Sequence, residues 1–149
     1  AKPLDACSYY NGDFIALEKA HLNKGWKLVD NWHPDNKAGK RNGFVDVPML
    51  EATRPGDRLT LDFRGKAIGI FCVSGPSAGI LEYSVDGAPF KELDTFTEWS
   101  HNLYIPWVYM LETELKDTDH KLVLRISKKK NPASQGTECQ IRNFVVNGR

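Results

Sequence analysis

The stretch 67–90, AIGIFCVSG-PSAG-ILEYSVDG-APF, constrains the fold more than any other part of the chain. Two apolar runs flank a break of Gly, Pro and Ser, and the second run stops at Asp86-Gly87. An Asp-Gly pair between extended runs signals a tight hairpin, because both central residues of that turn take positive φ. Ile68, Ile70 and Cys72 share one side of the first run, and Leu81, Tyr83 and Val85 share one side of the second. So apolar a pair is not stable as a free two-stranded unit. The expectation is one hairpin over 67–90, lying mid-sheet.

The flanking segments repeat the extended pattern. In 58–63, Leu59, Leu61 and Phe63 alternate with Arg58, Thr60 and Asp62; in 120–127, Leu122, Leu124 and Ile126 point one way. Residues 25–32 bring Trp26, Leu28 and Trp32 to one side at period two, before His33-Pro34 breaks the run. Residues 44–52 read as a strand, with Pro48 consigning it to an edge or a bulge. Residues 138–147 close the chain with Ile141, Phe144, Val145 and Val146. Residues 1–12 are an irregular lead-in, 13–23 a short helix or irregular strand, and 37–42 a polar loop. Many short strands punctuated by Gly and Pro, with at most one helical stretch, predict an all-β protein, a jelly-roll β-sandwich of about eight strands. No internal repeat or boundary divides the chain, so 1–149 is expected to be a single domain.

Twenty Lys and Arg against 19 Asp and Glu give a net charge of +1, which argues against nucleic acid as a partner. The basic block Lys128-Lys129-Lys130 precedes Asn131-Pro132 and reads as a solvated turn. No apolar run approaches the ~20 residues that cross a bilayer, so no membrane partner is expected. No signal peptide is present at Ala1, which is expected to be the edge of a mature or trimmed chain. The cysteines Cys7, Cys72 and Cys139 include no C-x-x-C pair. Cys72 reads as a small buried residue, and a Cys7–Cys139 bridge remains open.

Catalytic patterns are thin. Gly75-Pro76-Ser77-Ala78-Gly79 fits G-x-S-x-G, with Asp94 or Asp117 and then His120 following in the order of a serine triad. A nucleophile elbow needs a helix after the serine, whereas ILEYSV alternates as a strand and Pro76 removes a backbone donor. The connection reading is preferred, and no catalytic residue is assigned. His21, His33, His101 and His120 share no ligand spacing, and no Gly-rich run opens a helix, so neither a metal nor a cofactor is expected.

The remaining feature is aromatic density. Trp99, Tyr104, Trp107 and Tyr109 fall in one stretch with Ser100, His101 and Asn102, and Pro106 interrupts it, placing it near a sheet rim. Sugars stack their C–H groups on aromatic faces while their hydroxyls find polar partners. The carbohydrate-binding candidates are therefore Trp99, His101, Tyr104 and Trp107, with Trp32 and His33 at another strand end able to share the same rim. Core packing, and docking on a neighbouring domain, are the competing roles for the same rings.

The segments LDACSYYNG, PMLEATRPGDRLTLDFRGKAIGIFCVSGPSAGILEYSVDG, FTEWSHNLYIPWVYMLETELKDTDHKLVLRI and IRNFVVN together resemble the jelly-roll accessory domain of bacterial SGNH/GDSL-type hydrolases, esterases of carbohydrate-degrading systems. The resemblance covers nearly the whole chain. It implies a galactose-binding-like sandwich, a covalently linked hydrolase domain outside these residues, a carbohydrate partner and an extracytoplasmic location. The hydrolase signature itself, a Gly-Asp-Ser segment with a distant Asp-x-x-His, is absent here. Where Ser77 stands the family often has an acidic residue, which weakens the nucleophile reading further.

Overall fold

The computed structural model describes residues 13–34 and 46–147; Cys7, the lead-in and the predicted polar loop lie outside them. The strands are β1 (Asp13–Ile15), β2 (His21–Lys24), β3 (Lys27–Val29), β4 (Met49–Ala52), β5 (Arg58–Gly65), β6 (Ala67–Ser74), β7 (Ile80–Val85), β8 (Lys91–Asp94), β9 (Ile105–Glu112), β10 (Thr118–Ile126) and β11 (Cys139–Asn147). A 3-10 turn, Leu17–Lys19, separates β1 from β2. One sheet runs β3-β4-β11-β6-β9 with β1 also on β11; the other runs β2-β5-β10-β7-β8. All pairings between these strands are antiparallel, and the fold is the jelly-roll sandwich the alternation predicts.

The core lies between the sheets. Leu59, Leu61 and Phe63 of β5 and Leu122, Leu124 and Ile126 of β10 meet Leu50, Ile68, Ile70, Cys72, Ile141 and Phe144 of the facing sheet. Burying such a side chain stabilises the fold by roughly 2 kcal/mol. In β11, Ile141 and Phe144 are three residues apart yet both fully buried in this core. A regular strand would turn them to opposite faces; a bulge between Ile141 and Asn143 restores both to the interior.

The structure corrects the central hairpin. β6 pairs with β11 and β9, β7 with β10 and β8, so the two runs never pair with each other. Residues 75–79 carry the chain from one sheet to the other, held where Gly79 N–H donates to Glu138 O (2.7 Å) and Thr95 N–H to Gly79 O (3.1 Å). Each run is mid-sheet, but in a different sheet, and the two inward sets face across the core instead of lying side by side. The Asp-Gly signal belongs to the β7–β8 turn, where Asp86 and Gly87 take φ of 56° and 77°. Two further expectations change. Strand β4 starts only after Pro48 and is internal, between β3 and β11. Strand β3 ends at Val29, so the turn at 30–31 rotates Trp32 away from Trp26, and Leu28 is exposed.

Candidate functional site

The predicted aromatic rim divides into two clefts on opposite faces of the β9 sheet. Along a strand the side chains alternate, so Ile105, Trp107 and Tyr109 face inward, in register with Ser74, Cys72 and Ile70. Tyr104 faces outward, in a separate cluster with Trp32, Met49 and Val73. Pro106, which has no N–H to donate, is accommodated because β9 is the outermost strand of its sheet.

On the inward side, Ser74, Thr97, Trp99, Ile105, Trp107 and Tyr109 line a hollow of about 100 Å³. Trp99 is 64% and Trp107 40% exposed, so both indoles present ring surface to solvent. Trp99 is aimed by a pinned loop. Thr97 N–H donates to Ser100 Oγ (3.1 Å), Ser100 N–H to Thr97 O (3.0 Å) and Trp99 N–H to Thr97 Oγ1 (3.3 Å). These short-range Thr and Ser bonds fix the turn locally. Thr95 Oγ1 ties the loop to Gly79 O at 2.7 Å, and buried Phe96 anchors it beneath His101, whose ring meets Phe96 edge-on at 5.2 Å. His101 is thus a neighbour of this loop and does not line the hollow. Burial pushes the Tyr109 phenol well up, with nearby Cys72 adding to it and Ser74 opposing, so it remains a neutral hydroxyl at working pH.

On the outward side, Trp32, His33, Pro34, Glu51, Thr53, Tyr104 and Glu138 line a cleft of about 400 Å³. Here the rings are sealed: Trp32 is 3% and Tyr104 4% exposed, packed edge to face at 5.2 Å. Trp32 Nε1–H donates to Glu51 Oε2 (3.1 Å). Gln140 Nε2 donates both to Glu51 (2.8 Å) and to Glu138 (3.2 Å). Burial holds the Glu138 carboxyl above its ordinary range, Gln140 opposes that, and the Glu51 charge adds to it. The two clefts differ in kind: one offers exposed rings in an apolar hollow, the other a polar wall of two carboxylates over closed rings.

Of the sequence-predicted candidates, the structure brings Trp99 and Trp107 to one hollow and sets Trp32, His33 and Tyr104 on the other cleft. Sequence reading passed over Thr97, Ser74 and Ile105 for the first cleft, and Glu51, Thr53 and Glu138 for the second. The Ile105-x-Trp107-x-Tyr109 alternation carried the signal for one wall; nothing local in the sequence marks Glu51 and Glu138 as neighbours.

Ser77 and His120 stand at opposite ends of β7, which at six residues spans about 20 Å. Ser77 belongs to the sheet-crossing turn, where its carbonyl accepts from Glu138 N–H (2.7 Å). His120 is buried against Phe63 and gives Nδ1–H to Asp86 (2.5 Å) and Nε2–H to Lys116 O (2.7 Å). A carbonyl only accepts, so the pair of bonds favours the doubly protonated ring. Burial draws the imidazolium pKa down, but the bonds to Asp86 and Lys116 and the Asp86 charge outweigh it, and the net shift is upward from 6.5. His120 holds the Asp86 carboxyl below its ordinary 3.8, the Lys121 N–H helping. A raised histidine stabilises fully below its unfolded pKa and loses that contribution as pH climbs through the folded value. A depressed carboxylate stabilises above its unfolded pKa and loses it on acidification. The pair's contribution is therefore expected to be greatest between about pH 4 and pH 6.5. Asp86→Asn, which tolerates the positive φ, is expected to flatten the decline in urea midpoint on the alkaline side. An unchanged slope contradicts this assignment.

No family model matches the chain, and no curated protein matches it. Similarity is found among solved structures. A two-domain esterase active on acetylated mannans, co-crystallised with mannopentaose, superposes with a TM-score of 0.67 at 16% identity, covering 98% of this chain and 39% of that one. A family two carbohydrate esterase from Cellvibrio japonicus gives 0.55 at 11%, covering 93% and 34%. A variant exo-β-1,3-galactanase from Phanerochaete chrysosporium with β-1,3-galactotriose gives 0.58 at 11%, covering 91% and 29%. The chain thus spans well under half the length of each. At these identities the similarity establishes the fold, a jelly-roll β-sandwich of the kind found in carbohydrate-active enzymes.

Proposed function

We propose that this chain is a non-catalytic carbohydrate-binding or substrate-positioning module of an SGNH/GDSL-type esterase, working outside the cytoplasm of a bacterium with its hydrolase domain elsewhere in the same polypeptide. One observation carries the reading: Trp99 and Trp107 expose ring surface to solvent around a single hollow. Exposed indole faces are what the C–H faces of a pyranose stack on. The fold shared with an esterase co-crystallised with mannopentaose and a galactanase crystallised with β-1,3-galactotriose makes those oligosaccharides the first probes. Calorimetric titration of the chain with each is expected to give weak binding, about −4 to −6 kcal/mol. Absence of heat with these and with a panel of plant and host glycans overturns the proposal.

A second reading is favoured by three exposed large apolar side chains, Trp99, Leu103 and Trp107, within one nine-residue stretch: the same rings dock on the hydrolase and shape its mouth. It predicts that deleting this module lowers the stability or esterase rate of the hydrolase. The non-catalytic part has its own check. On aryl acetates the chain and its Ser77→Ala variant are expected to match the buffer rate, and a rate removed by Ser77→Ala contradicts it.

A further inference from the structure

At the turn joining β4 to β5 the charge is not balanced. Seven cations and two carboxylates line two adjoining clefts, of about 490 and 540 Å³, on either side of Pro55-Gly56. Of 20 basic and 19 acidic residues in the chain, 13 and 17 are left for everything else. Among the described residues outside these clefts acidic side chains outnumber basic ones, so the near-neutral total hides a basic end on an acidic body.

The cations are ordered by the sheet. Lys24 stands opposite Arg58, and Arg58 opposite Arg125, so three positive side chains lie abreast on adjacent strands. Like charges directly opposite one another destabilise a sheet. Only the third is answered, by Glu82 at 2.6 Å, with its guanidinium over the Phe90 ring at 3.6 Å. Beyond the row, Lys129 pairs with Glu92 at 3.0 Å. Among the described residues no ion pair joins Lys24, Lys27, Arg54, Arg58 or Lys128 to a carboxylate. Asp57 is turned inward, where it accepts from Thr53 and Arg54 N–H at 3.3 and 3.1 Å.

We infer that this basic end binds an acidic polysaccharide, one bearing carboxylate or sulfate groups, at a surface separate from the Trp99–Trp107 hollow. Strands lie about 4.8 Å apart, so the row presents positive charge at steps comparable to the repeat of a sugar chain. The guanidinium of Arg58 has the planar fork that matches a carboxylate or sulfate. Single-stranded nucleic acid is the poorer fit, because it needs rings on which bases stack, and the nearby Phe90 face is already covered by Arg125. This inference goes beyond the proposed function and does not depend on it.

The test is gel retardation of the 149-residue chain in polygalacturonate, with neutral galactomannan, inorganic polyphosphate and oligo-dT as parallel probes. Polygalacturonate is expected to retard the chain at about 50 mM salt and to lose it by about 500 mM. Arg58→Gln with Lys128→Gln, both exposed, is expected to weaken this by about tenfold or more, with an unchanged circular dichroism spectrum. Lys91→Gln, a cation outside the clefts, is expected to leave it intact. Trp99→Ala is expected to reduce retardation by galactomannan alone, so failure of the two sites is told apart. No retardation by polygalacturonate, an unaffected double variant, or stronger retardation by polyphosphate or oligo-dT overturns the inference.

Discussion

Removing both exposed indoles, Trp99→Ala together with Trp107→Ala, is expected to weaken binding of mannopentaose about 100-fold, to below detection for a weak binder. The size follows from what each ring supplies. Stacking geometry on an aromatic face contributes about 1 kcal/mol beyond the apolar area it covers, and two rings with their area reach about 3 kcal/mol. The same change is expected to lower Tm by no more than about 4 °C, because the rings are largely outside the core. Trp32→Ala should do the reverse. That ring is closed in against Tyr104 and bonded to Glu51, so its loss is expected to cost about 3 kcal/mol of stability with little effect on affinity per folded molecule. Titration and thermal unfolding on the same samples separate the two outcomes. Equal effects on affinity from both changes would remove the distinction between the clefts.

The second large effect is on the fold. Gly25 and Gly87 both have φ of +77°, but their surroundings differ. A Cβ on Gly25 would meet Asp57 Oδ1 at 1.9 Å, whereas a Cβ on Gly87 would meet nothing within 4 Å. Gly87→Ala therefore carries only the backbone cost, about 1 kcal/mol. Gly25→Ala must also displace a buried carboxylate that satisfies the amides of Thr53 and Arg54, and about 3 kcal/mol is expected, a fall in Tm of roughly 9 °C. Denaturant midpoints of the two variants measure the difference. Equal losses would show that Asp57 yields without penalty.

Much of this architecture was legible because it rests on period two. The alternations of β5 and β10 predicted their inward faces residue by residue, and Pro106 predicted the sheet margin on which β9 lies. Pairing partners were not legible, because alternation fixes which way a side chain points and says nothing of which strand lies beside it. That is why β6 and β7, neighbours in sequence and similarly apolar, read as one hairpin although their opposing edges belong to β11, β9, β10 and β8. The division of the aromatic stretch between two faces was not legible for a related reason. Tyr104 and Trp107 are three residues apart, an odd spacing that sends them to opposite faces of an extended strand. Glu51 and Glu138 meet only through the β4–β11 pairing, which no local signal announces.

The most direct measurement is a ¹H–¹⁵N titration following the indole N–H signals of the four tryptophans as mannopentaose is added. The account predicts that Trp99 and Trp107 shift along saturating curves while Trp26 and Trp32 stay in place. Four unmoved signals, or a shift confined to Trp32, would contradict it.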